Sequence, residues 1–346
     1  MTVRQMCGRA GRPKIKDGRT VLAQGDAYIL LPEAEFNALQ DEYARVGPVL
    51  SRLDDVRTLA FHVISEISQG RVVDAASFAD WHSRSLAHAQ GRVLERSAIE
   101  EVFSVLRRLK AIQTSDDGET YVVTNLGRLS CAMYFSPWMV CGWFINFSRL
   151  FGSKATINSV TAPWALCNVR DYAEGVAGAG DSAGAVVEFR SACSKQGLRV
   201  DKQPAVVGTA YRALMQGKRL SGLAGLQGQL LADLDRVAAA LSLMEKMCAP
   251  HWRHGKWAEL AARVRYGLPA GMAGLARIDG IGGKRARIIW DCGVRTPSQL
   301  VSRTEAHDKL RARLGPKIFD SALISAAAIA KKEGRRSGKP SSQAGL

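Results

Sequence analysis

The chain has 346 residues, 47% of them hydrophobic, which suits two to four modest domains, each with its own core. Its formal charge of +16 favours a polyanionic partner, most simply nucleic acid, over a membrane, because no apolar run is long enough to span a bilayer. The arginine- and glycine-rich start has no secretory signal, and the seven cysteines are scattered without a CxxC pair. Reduced thiols and a cytoplasmic location follow, with nucleoid association if the source is prokaryotic.

Residues 1–45 open on RQMCGRAGRPKIKDGRT, in which Arg9 and Arg12 stand among Gly8 and Gly11, with Gln5 just upstream. GRTVLAQ reads as a strand, and Pro32 opens an acidic amphipathic helix, PEAEFNALQDEY. A lone strand and helix do not make a domain, so this segment reads as the tail of a larger one.

Residues 46–125 predict three helices and a hairpin. Leu53, Val56, Leu59, Val63 and Ile67 share a helical period that Gly70 ends. A second helix starts on Asp74 and runs through DAASFADWHSRSLAHAQ. A third turns Ile99, Val102, Val105, Leu106 and Leu109 inward and ends on Arg107, Arg108 and Lys110. Asp117-Gly118 then sits between two short strand-like pieces. This is the element order of a winged helix, and it also suits a small packing domain that never touches bases.

Residues 126–265 read as helical and rich in Ala and Leu, with breaks near Gly152, Gly175–Gly184 and Gly217. Their most apolar stretch, YFSPWMVCGWFINF, is interrupted by Pro137 and Gly142 and reads as a buried helical segment. CAPHWRH brings Cys248, His251 and His254 close in sequence, but a fourth ligand is lacking and Pro250 interrupts the helix, so no metal is expected. Trp252 and Trp257 read as packing residues.

Residues 266–332 carry the most self-sufficient motif, LARIDGIGGKRARIIWDCGVRTPSQLV. Gly280, Gly282 and Gly283 make a tight turn in which backbone N–H groups can approach a phosphate at the start of the next helix. Lys284, Arg285 and Arg287 follow at once, and Ile281 points back between the helices. The spacing resembles the helix–hairpin–helix module, which grips the sugar-phosphate backbone without reading sequence. Asp279 departs from it, standing where the module usually has Pro. The bland alternative is a glycine turn that only joins two packed helices. Residues 333–346 read as a basic, disordered tail.

No G-x-x-x-x-G-K-[ST] phosphate loop and no G-x-S-x-G elbow occur. The opening stretch is then informative, because two arginines among small neighbours suit bidentate contact with a γ-phosphate. QMCGRAGRP resembles motif VI of superfamily 2 helicases, and specifically its Ski-two-like branch. The order of segments resembles the C-terminal part of a HelQ-type DNA helicase of that branch. The resemblance implies a mainly α, multidomain fold: the remnant of a second RecA-like α/β domain, a winged helix, a helical ratchet domain and a helix–hairpin–helix domain. It implies that Gln5, Arg9 and Arg12 sense ATP across the cleft between two RecA-like domains, with Arg9 and Arg12 as the finger residues and Gln5, Gly8 and Gly11 as cofactor-binding residues. It also aligns DLDRVAAALSL with the family's ratchet helix, so Arg236 would touch single-stranded DNA while Leu243 replaces a Trp that stacks on a base.

The expectation is a DNA-handling region of an ATP-dependent 3′→5′ helicase in repair or replication restart. Its partner would be single-stranded or branched DNA. ATP and Mg²⁺ would bind only once the missing motor domains are supplied, from a longer product or a separate chain. Alternatives are a stand-alone, non-enzymatic DNA-binding or adaptor protein, and an RNA helicase arm of the same branch.

Overall fold

The structure is a computed structural model that describes residues 14–16, 19–21, 32, 50–53, 55–116, 118–169 and 180–337. The chain divides into two units, 1–51 and 52–346. In the first, β1 (Lys14–Lys16) pairs antiparallel with β2 (Arg19–Val21), Ile15 opposite Thr20. The sequence pattern marked only the second strand. The predicted helix from Pro32 onward lies outside the described residues.

The second unit is built almost wholly of helices and buries three apolar clusters among its described residues. The first cluster lies under α1 (Val56–Ser68), α2 (Ala75–Ser83), α3 (Leu86–Ala89), α4 (Arg96–Arg108) and the hairpin β3 (Ile112–Thr114)–β4 (Tyr121–Val123). Asp55 caps α1 by accepting from the N–H groups of Arg57 and Thr58, so Leu53 lies before the helix and packs on the core from outside it. Asp74 and Ser77 form a reciprocal capping box at α2. The single helix expected from Asp74 onward is two, because Ser85 accepts from the His88 N–H and starts α3 afresh. Val102, Phe103 and Leu106 of α4 face Leu59, Val63 and Phe78, and Tyr121 stacks on Phe103 at 4.4 Å.

The second and largest cluster is formed by α5 (Asn125–Met133), α6 (Pro137–Gly152), α7 (Thr161–Cys167), α8 (Ala183–Ser194), α9 (Lys202–Met215), α10 (Ala224–Cys248) and α11 (Trp257–Tyr266). Ser136 caps α6 and Pro137 takes its first position. The stretch expected to be a buried helical segment is α6, and Gly142 lies inside it. A Cβ there would meet Val169 Cγ1 at 2.5 Å, so the glycine admits a neighbouring segment. Three of the polar side chains carried into this core are paired: Trp143 Nε1 donates to Leu166 O at 3.0 Å, Trp164 Nε1 to Arg199 O at 2.8 Å, and Asn146 Nδ2 to Ala165 O and Asn168 O. In α10, Leu230, Leu234, Val237, Leu241 and Met244 repeat at helical spacing and are buried.

The third cluster holds α12 (Ala270–Ala273), a 3₁₀ turn (Gly274–Arg277), α13 (Gly283–Asp291), α14 (Pro297–Ser302), α15 (His307–Leu314) and α16 (Pro316–Ser337). Leu275, Ile278, Ile281, Ile289, Leu310 and Phe319 fill it. Helix α16 continues to Ser337, so residues 333–337 are helical where a disordered tail was expected. The six described cysteines are free thiols.

Gly127 and Gly228 separate packing from propensity. A Cβ at Gly127 would meet Ala111 O at 2.1 Å and Val123 Cγ2 at 2.6 Å, whereas one at Gly228 meets nothing within 4 Å. Gly127→Ala is expected to destabilise by about 1–3 kcal/mol through overpacking. Gly228→Ala is expected to stabilise by roughly 0.5–1 kcal/mol through helix propensity. Urea unfolding of the two variants checks the opposite signs.

Candidate nucleic-acid interface

The turn at residues 278–283 is made by local bonds. The Ile281 N–H donates to Ile278 O at 3.0 Å, and Gly280 adopts φ +75°, a conformation that L side chains rarely take. Ile281 is buried in the third core, which fixes the turn from inside. The N–H of Asp279 donates to Ser325 Oγ of α16 at 3.0 Å. Proline has no N–H and could not make this bond, which accounts for Asp279 at that place. Gly282 and Gly283 lie against Tyr266, where a Cβ at Gly283 would stand 3.1 Å from the tyrosine Cβ.

Helix α13 begins at this turn without a side-chain cap, so its first N–H groups face outward at the positive end of the helix dipole. Lys284, Arg285 and Arg287 are exposed beside them. Arg285 folds back, its Nη1 donating to Gly280 O at 2.7 Å, while Arg287 Nη2 lies 3.5 Å from Gly267 O. Arg285 therefore braces the turn, and Lys284 and Arg287 carry most of the outward charge. The downstream half also has an ordered start: Thr296 caps α14 by accepting from the Gln299 N–H at 3.1 Å, and Pro297 follows at its first position.

Arg236 lies on α10 and is held from three sides. Its guanidinium stacks 4.3 Å over the Phe135 ring, Nη2 pairs with Asp233 at 2.8 Å, and Nη1 donates to Tyr134 O at 3.4 Å. It stays partly exposed, so a phosphate would compete with Asp233 for it. Leu243 is half-buried and packs on the second core. The turn and Arg236 stand on different elements, and no recorded contact joins them. Gln5, Gly8, Arg9, Gly11 and Arg12 lie outside the described residues.

Cys248, His251 and His254 do not gather. Among the described residues no three His, Cys, Asp or Glu side chains form a metal-ligand group. His254 meets Trp257 edge-on at 4.6 Å and lies tilted 5.5 Å from Phe151, and Trp252 lies among the same rings. Sequence spacing gave no sign of Glu245, which organises this corner. Its carboxylate accepts from the N–H groups of His254 (2.5 Å) and Gly255 (3.0 Å) and from Trp257 Nε1 (2.5 Å). One side chain thus ties the end of α10 to the start of α11.

Curated relatives cover nearly all of this chain. It is 23% identical over 357 residues to the ATP-dependent DNA helicase Hel308 of Thermoplasma acidophilum, covering 97% of this chain and 48% of that protein. It is 23% identical over 355 residues to the protein of the same name from Pyrobaculum calidifontis, covering 92% of this chain and 46% of that one. The chain is similar to Hel308 DNA helicases. It spans about half the length of the curated relatives it matches, consistent with the C-terminal part of a Ski-two-like helicase. No family model matches it. The described residues are mainly α-helical, the chain is strongly basic, and no described helix is long and apolar enough to cross a membrane.

Burial gives this region a pH response. His254 and His82 are both held below the ordinary imidazole value of 6.5, first by loss of solvent. Lys256 pushes His254 further down while Glu245 opposes it, and His88 adds to the lowering at His82. Below pH 6.5 the unfolded chain takes up protons that the folded chain refuses, so stability is whole above that value and falls on acidification. The urea midpoint is expected to drop between about pH 6.5 and 5, above the range where carboxylates titrate. A His254→Gln variant is expected to show a shallower drop over the same interval.

Proposed function

We propose that this chain is the DNA-handling, C-terminal region of an ATP-dependent 3′→5′ DNA helicase, gripping single-stranded DNA during unwinding in repair or replication restart. The observation that carries the reading is the Gly280–Gly283 turn, whose uncapped helix start and exposed Lys284 and Arg287 suit a phosphodiester backbone. The similarity to DNA helicases over almost the whole chain supports it.

In this reading α1–α4 and the β3–β4 hairpin are a winged helix, α10 is the ratchet helix, and residues 266–332 are a helix–hairpin–helix domain. Backbone N–H groups at the start of α13 bind one phosphate, and Lys284 and Arg287 neutralise its neighbours. Arg236 exchanges its bond to Asp233 for a phosphate as the strand advances. Arg9 and Arg12 act as finger residues toward ATP, and Gln5, Gly8 and Gly11 help to bind the nucleotide. The sequence holds no phosphate loop, so the nucleotide and Mg²⁺ would be held mainly by RecA-like domains supplied from outside these residues.

Two experiments test this. Fluorescence anisotropy of a labelled single strand across a salt series should give salt-sensitive binding. Lys284→Ala and Arg287→Ala should each weaken it for every base sequence and lower the salt slope by roughly 1. Binding unchanged in both variants would remove the turn from the interface. Supplying the motor domains should give a DNA-stimulated ATPase, which Arg9→Ala or Arg12→Ala should reduce by roughly a thousandfold or more. Turnover retained in both would refute the finger assignment, and a DNA binder with no ATPase under any reconstitution would identify a stand-alone adaptor.

A further inference from the structure

Tyr134 is 68% exposed, yet its backbone is held firmly. It ends α5 at φ 53° and ψ 45°, the left-handed region that costs a bulky side chain energy and that Gly or Asn normally fills. Four interactions keep it there. Its own N–H donates to Cys131 O, and the next N–H, of Phe135, donates to Ser130 O at 3.2 Å. Ser130 Oγ donates to Phe135 O at 2.5 Å, and Arg236 Nη1 reaches Tyr134 O at 3.4 Å. All four would survive with a smaller residue at position 134, so none of them explains an aromatic ring.

The ring has a single recorded aromatic neighbour among the described residues. Phe61 of α1 lies 5.2 Å away at 76°, and beyond it stands the exposed His62, 5.5 Å from Phe61. That one contact is edge-to-face, and with 68% of the residue exposed much of the ring is left accessible to solvent. Tyr134 is absent from all three cores. Beside it, Arg236 is pinned on the Phe135 ring, with Asp233 sharing its charge. An exposed aromatic ring on a fixed backbone next to a cation is the arrangement that holds an unstacked base and its phosphate.

We propose that Tyr134 is a base-stacking residue for single-stranded nucleic acid, with Phe61 as its lateral support and Arg236 as the neighbouring phosphate contact. This rests on the DNA-handling reading above and adds to it an aromatic platform that comes from α5, not from α10, where Leu243 packs inward.

The test uses the full chain, a labelled oligothymidylate, and a strand of equal length in which abasic sites replace the bases. Tyr134→Asn keeps a residue that tolerates the left-handed backbone, and Tyr134→Phe keeps the ring. The wild type should bind the thymidine strand more tightly than the abasic one. Tyr134→Asn should lose roughly five- to a hundredfold on the thymidine strand and nothing on the abasic strand, while Tyr134→Phe matches the wild type. If Tyr134→Asn binds both strands like the wild type while Lys284→Ala is weakened, stacking is overturned and the DNA-handling reading stands. Equal losses on both strands would also overturn stacking, since the effect would not depend on a base. If only association with added motor domains is lost, the ring is a protein-docking residue. A wild type that binds neither strand overturns both readings.

Discussion

Burial of one face of α10 is the constraint on which the second unit depends. Leu230, Leu234, Val237, Leu241 and Met244 form the stripe, and α5, α9 and α11 are the elements packed along it. Most of the stability of a helix within a protein comes from packing of its apolar face rather than from propensity, so α10 depends on those partners. Two of its polar residues then do separate jobs. Glu245 ties the following loop to Trp257, which sets the direction of α11. Arg236, two turns earlier, reaches across to Tyr134 and Phe135 and joins α10 to the end of α5.

The third core is joined to the second through α11. At its end Gly267 meets Gly217, which follows α9, so closely that a Cβ on Gly267 would stand 2.3 Å from the Gly217 Cα. Backbone-to-backbone contact of this kind leaves little freedom at the joint. Tyr266, the residue before it, is the surface on which Gly282 and Gly283 rest. The Gly280–Gly283 turn is thus braced from Tyr266 on one side, from Ser325 of α16 on another, and by Arg285 from within its own helix. A turn set in three ways does not need to reorganise when it meets a phosphate, which keeps the entropic cost of binding low.

Charge divides along the same lines. Of the cations in the candidate interface, Arg285 and Arg236 are bonded to backbone carbonyls and Arg236 also to Asp233, Arg287 makes a long bond to Gly267 O while staying exposed, and Lys284 projects from the helix start. Braced arginines fix geometry, and the exposed lysine supplies the mobile part of the field that attracts a polyanion.

Much of this was legible in the sequence because it is local. Asp74 before an apolar period, Pro137 in a helical segment, and Gly280 ahead of Gly282 and Gly283 each act within a few residues, so their consequences follow from sequence spacing alone, whereas the apolar period missed the Asp55 cap that leaves Leu53 outside α1. The same spacing placed Ile281 inward and Lys284 outward. Where the outcome depended on distant neighbours, spacing was silent or misleading. Gly142 is needed because Val169 of a distant segment packs against it, a contact that no local pattern shows. Arg236 looked like a free contact until Asp233, Tyr134 and Phe135 were seen around it. The sequence by itself determined a basic, mainly helical chain with a phosphate-suited turn, since composition, caps and glycine positions are properties of short stretches. Only the tertiary structure decided which polar groups are spent holding the fold and which remain for a ligand, because that depends on residues a hundred positions apart, as Tyr134 and Arg236 are.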